Sequence, residues 1–317
     1  MDILEKLSLA GLVPIIKVDD ANDAVPLCRA LAKGGLPVAE ITFRTAAAPE
    51  AIRLVKENLP EVMLGAGTVL TVEQAKQAVD SGARYILSPG FNPKVVAWCV
   101  ENVIPVIPGC SCPSDIEAAL EFGLKLVKIF PAESLGGVKF LKALSGPYVN
   151  MSFAPTGGLN ENNMLDYLAL PKVKCVGGSW MVPSDAVKNK DWDKITETTQ
   201  HAVKLMLGLE LKHVGINNEN AEEAMKGAML MSKLTGLPIK DGNSAAFVGA
   251  DYEFCKVKKP GTNGHIAIST NCISRAVWHL EQQGFVFGEP QYNSEGKFTS
   301  IYLKDEICGF GVHLLQK

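Results

Sequence analysis

Lys128 is a cation inside the apolar run Leu126-Val127-Lys128-Ile129-Phe130, with Pro131-Ala132 directly after it. Desolvation disfavours an ammonium, and the neutral amine is the form that attacks a carbonyl carbon to make a Schiff base. A strand-end lysine that snorkels to water, or one that pairs with a carboxylate, fits the same residues. Glu40 is the complementary anomaly, a carboxylate in Val38-Ala39-Glu40-Ile41-Thr42-Phe43. Lys128 and Arg44 are its candidate partners, in a plain salt-bridge network or in Schiff-base chemistry with the carboxylate moving protons.

The elements that must position these groups follow from periodicity. Apolar, β-branched runs recur about every 20–25 residues: Val13–Val18, Val38–Phe43, Met63–Thr68, Tyr85–Ser88, Val103–Ile107, Leu126–Phe130, Met151–Ala154 and Val173–Val176. Helix-length segments with 3.6-residue periodicity separate them, among them Asn22–Lys33, Ala48–Asn58, Val72–Ser81, Pro93–Glu101 and Pro113–Phe122. Such alternation predicts parallel strands joined by helices, and eight regular units in roughly 180 residues suit a (β/α)8 TIM barrel better than a doubly wound sheet. Barrels carry their sites at the carboxyl ends of the strands. Those ends read Glu40 and Arg44, Gly65-Ala66-Gly67-Thr68, Ser88-Pro89-Gly90, Pro108-Gly109, Lys128, Thr156-Gly157-Gly158 and Gly177-Gly178-Ser179. The two glycine pairs follow the seventh and eighth runs, where barrels often bind phosphate through exposed amides. Ordinary turns use glycine pairs too.

Composition bounds the rest. With 317 residues and 47% apolar composition the chain exceeds one typical domain, so a large core and a smaller one are expected. A net charge of −3 without a basic stripe argues against nucleic acid or an anionic membrane as partner. Charges, prolines and glycines interrupt every apolar run before spanning length, and Met1-Asp2-Ile3-Leu4-Glu5-Lys6 lacks a secretion pattern, which reads as a soluble cytoplasmic protein. The eight scattered cysteines are then reduced and mostly buried. Cys110-Ser111-Cys112, the one close pair, has the wrong spacing for a zinc knuckle and reads as strand-end packing.

Taken in order, Glu40-Ile41-Thr42-Phe43-Arg44-Thr45, Gly65-Ala66-Gly67-Thr68-Val69-Leu70, Ser88-Pro89-Gly90, Val127-Lys128-Ile129-Phe130-Pro131-Ala132-Glu133, Pro155-Thr156-Gly157-Gly158 and Gly177-Gly178-Ser179-Trp180 resemble the class I aldolases of 2-keto-3-deoxy-6-phosphogluconate (KDPG) and 4-hydroxy-2-oxoglutarate (KHG). The resemblance covers about residues 3 to 206. It implies that Lys128 forms the Schiff base with a 2-keto acid and that Glu40 is the general acid/base, with no metal needed. It further implies that Arg44 and Thr68 hold the substrate carboxylate, that Pro89 and Phe130 shape the pyruvyl pocket, that Thr156 is among the substrate-binding residues, and that Gly157, Gly158, Gly178 and Ser179 take the distal phosphate when the substrate has one. A cyclic homotrimer is implied as well. Cys110 and Cys112 replace residues expected to be aliphatic or hydroxyl, a departure that bears on substrate preference.

The last third changes pattern after the helix Trp192–Leu207, dividing the chain into domains 1–208 and 209–317. Lys212-His213-Val214-Gly215-Ile216 is echoed by Gly264-His265-Ile266-Ala267-Ile268, with the histidines 52 residues apart. Each copy precedes an amphipathic segment, Ala221–Leu234 or Ile273–Gln283, and then β-rich sequence, which predicts a smaller α+β domain of two βαβββ modules. This half resembles the vicinal oxygen chelate superfamily of glyoxalases and ring-cleaving dioxygenases. The resemblance implies a divalent metal held by His213, Glu253, His265 and His313, a set suited to zinc, nickel or iron. His313 stands where that superfamily more often has a carboxylate. The competing readings are a metabolite-binding or oligomer-organising module, and a non-catalytic phosphate-binding barrel beside a metal-dependent second domain.

Overall fold

The computed structural model describes residues 2–317, which divide into two compact units, one ending at Met206 and the other running Leu207–Lys317. In the first, the strands are β1 Leu12–Ile16, β2 Val38–Thr42, β3 Met63–Gly67, β4 Ile86–Leu87, β5 Val106–Ile107, β6 Gly109–Cys110, β7 Leu126–Ile129, β8 Ser152–Pro155 and β9 Val176–Gly178. Pro108 has no amide hydrogen and interrupts one stave, so β5 pairs with β4 while β6, its continuation, pairs with β7. All pairings are parallel, β9 returns to β1, and a bridge between Thr156 and Gly177 joins β8 to β9. The ring is closed as a (β/α)8 barrel. The eighth strand lies later than its apolar run predicts: Val173 makes only an isolated bridge to Phe153, and the strand itself ends on Gly177-Gly178.

Helices cover the ring because their apolar positions repeat with the helical period. In Ala48–Asn58 the buried residues are Ala48, Ala51, Ile52 and Val55, a single stripe toward the strands. Start signals agree with the ends: the Asp2 carboxylate accepts from the Glu5 amide in a capping box, Thr71 caps Val72–Ser81, and Pro93 and Pro113 occupy first helical positions. Among the described residues no helix is long and apolar enough to cross a membrane. All eight cysteines are free thiols. Cys110 is buried at the β6 end, whereas Cys112 is exposed.

The second unit is one eight-stranded sheet built from two copies of the same element order. The first copy is β10 Glu210–Asn217, the helix Ala221–Thr235, β11 Ile239–Asp241, β12 Ala245–Val248 and β13 Tyr252–Cys255. The second is β14 Gly264–Thr270, the helix Ile273–Glu281, β15 Gln291–Tyr292, β16 Phe298–Tyr302 and β17 Phe310–Gln316. Sheet order β11-β12-β13-β10-β14-β17-β16-β15 is symmetric about the antiparallel pair β10 and β14. In each copy the first and last strands run side by side and parallel. Ala224 and Ala228 pack the first helix on Ala246, Val248 and Phe254. The small side chains let helix and sheet approach closely, and Gly227 continues this, since a Cβ there would lie 2.8 Å from the Phe254 ring.

Candidate functional site

Lys128 on β7 and Glu40 on β2 come from strands that are not neighbours, and their side chains meet inside the barrel mouth. Nζ donates to Glu40 Oε1 at 3.2 Å, with Lys128 5% and Glu40 1% exposed. Glu40 Oε2 is buried without a hydrogen-bond partner, so this carboxylate has one oxygen occupied and one to offer. Gly67 on the adjacent β3 makes the room: a Cβ there would lie 2.1 Å from Glu40 Oε1. Lys128 Nζ also stands 5.7 Å from the Phe130 ring centre.

These groups open on a cavity of about 310 Å³, also lined by Arg44, Thr68, Pro89, Phe130, Thr156, Gly157, Gly158, Gly178 and Ser179. The structure thus brings together around one cavity every barrel residue to which the resemblance assigns a role. Thr42 Oγ1 donates to the Ile16 carbonyl and accepts from Arg44 Nε at 3.1 Å, which fixes the guanidinium at the β2 end. Thr68 has φ +56, uncommon for a β-branched residue, and such strain is concentrated at working sites. Gly157 and Gly158 have φ +97 and +83, and Cβ atoms there would press on Phe130 and Glu133. Glycine alone lets this backbone pass against the Lys128 loop.

Sequence reasoning missed Ile15, Thr42 and Leu159, which complete the lining, and it missed Lys17. Lys17 and Lys188, together with Asp19, Asp20 and Asp23, line an adjoining cavity of about 700 Å³ that shares Ile15, Arg44 and Ser179 with the first, and Lys17 pairs with Asp19 at 2.7 Å. Lys17 lies one residue beyond β1, a cation at a strand end, and that signal was available. An amine, a carboxylate and a guanidinium around one small cavity can bind a carboxylate, add to a carbonyl and move a proton.

The second unit gathers His213, Glu253, His265 and His313 from the first and last strands of both modules. His213 Nε2 lies 3.1 Å from His265 Nε2, and Glu253 Oε2 lies 3.3 and 3.0 Å from those two nitrogens. The three histidines have ligating atoms within 4.8 Å of one another. His313 Nδ1 meets Ser300 Oγ at 3.1 Å, while its Nε2 is buried without a partner. Gly215 on β10 gives His265 its space, since a Cβ there would lie 2.0 Å from the imidazole. Burial favours the neutral Glu253, yet hydrogen bonds from His213 and His265 and the charge of Lys259 hold its carboxyl well below the usual carboxylate range. Burial, with His265 and His213 nearby, pushes His313 down to about 3. Donor separations of 3.0 to 3.3 Å are the edges of a coordination sphere with bonds of about 2.0–2.1 Å, so the residues present fit a divalent metal.

The model of the KDPG and KHG aldolase family matches residues 3–198. The 2-dehydro-3-deoxy-phosphogluconate aldolase of Treponema pallidum is 47% identical over 204 residues, 64% of this chain and 97% of that protein. The KHG/KDPG aldolase of Escherichia coli K12 is 43% identical over 198 residues, 62% of this chain and 93% of its own. Among solved structures, the KDPG aldolase of Legionella pneumophila with pyruvate captured as a covalent carbinolamine superposes with a TM-score of 0.61 at 40% identity, covering 63% of this chain and 97% of that one. With the closed barrel and the lysine, carboxylate and arginine at its mouth, these matches establish that the chain belongs to the KDPG and KHG aldolase family.

Proposed function

We propose that residues 1–208 form a cytoplasmic class I aldolase in which Lys128 is the Schiff-base nucleophile and Glu40 the general acid/base, and that residues 209–317 form a metal-holding domain. The observation that carries the first part is the buried Lys128 and Glu40 pair with one unpartnered carboxylate oxygen, Oε2, beside a cavity of about 310 Å³. The Lys128 amine adds to the C2 ketone of a 2-keto acid, and Glu40 returns a proton so that the carbinolamine loses water to an iminium. Glu40, now a carboxylate, takes the C4 hydroxyl proton, the C3–C4 bond breaks, and its electron pair flows into the iminium to leave a pyruvate enamine and an aldehyde. Protonation at C3 and addition of water release pyruvate and restore the amine.

Arg44 and Thr68 hold the substrate carboxylate, for which a guanidinium fork is suited, and Pro89 and Phe130 pack the pyruvyl group. KDPG and KHG share that half and differ beyond the cleaved bond. Thr156, Gly157, Gly158, Gly178 and Ser179 line the end of the cavity that would take the distal group, where glycine amides suit a phosphate. Cleavage of KDPG to pyruvate and glyceraldehyde 3-phosphate, with KHG cleavage to pyruvate and glyoxylate alongside, is the reading these features support. A homotrimer is the proposed assembly, as the family resemblance implies, and light scattering checks it.

Borohydride trapping with pyruvate, followed by peptide mass spectrometry, tests the mechanism. A reduced adduct on Lys128 is the expected result. Absence of any adduct overturns the mechanism and leaves a non-catalytic phosphate-binding barrel.

A second reading concerns residues 209–317. His213, Glu253, His265 and His313 are proposed to hold one divalent metal, supported by their convergence and by the buried, unpartnered Nε2 of His313. Ser300 orients His313: accepting from Nδ1–H, it leaves the lone pair on Nε2. When bound, the metal supplies Lewis acidity toward an oxygen ligand. Metal analysis of the dialysed protein tests this, and no stoichiometric metal in any preparation ends it.

A further inference from the structure

Building on the metal reading of the second unit, we propose that Lys259 is the anion-recognition residue of that centre and that the centre takes a small carboxylate ligand. Lys259 lies in the loop between β13 and β14, yet its backbone is clamped. Its N–H donates to Asn217 Oδ1 at 2.9 Å, its carbonyl accepts from Asn217 Nδ2 at 2.9 Å, and the same amide donates to the Gly261 carbonyl at 2.8 Å. Asn217 lies on β10, the strand of His213, and the two-residue alternation of a strand turns both toward one face. The loop is therefore fastened to the strand that supplies a histidine. Lys259 Nζ lies 3.9 Å from Glu253 Oε1, and its side chain is 38% exposed against 7% for Glu253. It stands on the solvent side of a buried cluster.

Charge counting leads to the ligand. Three neutral imidazoles add nothing, and Glu253 and Lys259 cancel, so a divalent cation leaves the centre doubly positive. Charge in a largely desolvated place is costly unless it is compensated. Around the cluster stand Cys255, whose Sγ lies within 4.8 Å of the Glu253 and His265 ligand atoms, Ser300, which meets His313 Nδ1, the Tyr302 ring, stacked 4.4 Å from His313, and Phe247, edge-on at 6.0 Å from His213. Cys255 donates its S–H to the Glu253 carbonyl at 4.0 Å and so stands as a thiol, and none of the others is an anion, so the compensating charge comes from a ligand. Once Glu253 serves a metal, Lys259 keeps only a distant share of it and turns its ammonium to the incoming anion. The flat rings beside the cluster favour a planar carboxylate over a tetrahedral oxyanion.

The experiment uses the full chain loaded with cobalt(II) and titrated with oxalate, read by the visible absorption of the metal, which is blind to anything bound in the barrel. One cobalt per chain and a saturable spectral change are expected. In Lys259→Met the oxalate Kd rises about tenfold or more with cobalt stoichiometry unchanged, as loss of a hydrogen bond to a charged group predicts, and Lys259→Arg restores most of the affinity. Equal oxalate affinity in the wild type and Lys259→Met, or tighter binding of phosphate than of oxalate, overturns the proposal. Failure to take up cobalt overturns the metal reading beneath it.

Discussion

The two units each bury a carboxylate, Glu40 and Glu253, in opposite company. Glu40 meets a single lysine, so one cation and one anion balance, and its second oxygen is left to accept or give a proton. Glu253 meets two imidazole nitrogens directly and a third histidine nearby, a surplus of lone pairs around one negative charge. The proposed roles, proton transfer for Glu40 and cation binding for Glu253, follow from those neighbours rather than from the side chain itself. Both sites also depend on a glycine in an adjacent strand, Gly67 beside Glu40 and Gly215 beside His265, because a Cβ would occupy the space of the working side chain.

The largest effect that would break this contrast lies in the barrel. Lys128→Ala should lower kcat on the order of 10³-fold or more and abolish borohydride trapping, since Lys128 is the one lysine among the described residues lining this cavity; steady-state kinetics with KDPG measures this. Next, Glu40→Gln should slow turnover by about 10²- to 10³-fold while still allowing the pyruvate adduct to be trapped, because only proton transfer is lost. Trapping lost together with turnover would show that Glu40 does more than move protons.

In the second unit, His265→Ala should remove stoichiometric metal after dialysis and leave aldolase kcat unchanged, read by metal analysis and kinetics on one preparation. Acid sharpens the contrast further. His313 has its pKa pushed down to about 3 in the fold against an ordinary 6.5, so the unfolded chain binds a proton that the folded chain refuses. Stability of the metal-free second unit should therefore fall as pH drops from about 6.5 toward 3, and Glu253, also lowered, adds to the loss below its ordinary value of 4.5. Thermal unfolding of the chelated protein against pH checks the sign. The smallest effect is expected for Ser300→Ala, which should weaken metal binding by about 10- to 100-fold by freeing the His313 ring, with the aldolase untouched.

Much of this was legible in the chain because both sites contain residues that violate their local pattern. A lysine and a glutamate inside apolar strands need an explanation at once, and the rim of the barrel can be read from where each apolar run ends. The repeat of His213 by His265 placed two of the four clustered side chains and set their strands in corresponding positions. Less legible were residues whose importance is purely spatial. Gly67 and Gly215 resemble any strand glycine until the neighbouring strand is in place, and Lys17, though legible as a cation just past a strand, gains meaning only from the cavity it lines. The late start of the eighth strand was hidden too, since its apolar run precedes the glycines that carry the pairing.

By itself the sequence determined the alternation of strands and helices, the two-module repeat and the identity of the groups able to do chemistry, because periodicity and the cost of burying charge are local properties. Only the tertiary structure decided which of those groups meet. Glu40 and Lys128 are 88 residues apart, and His213 and His265 52, and no local preference spans such distances. Closing a ring of strands and pairing two modules in register sets those contacts.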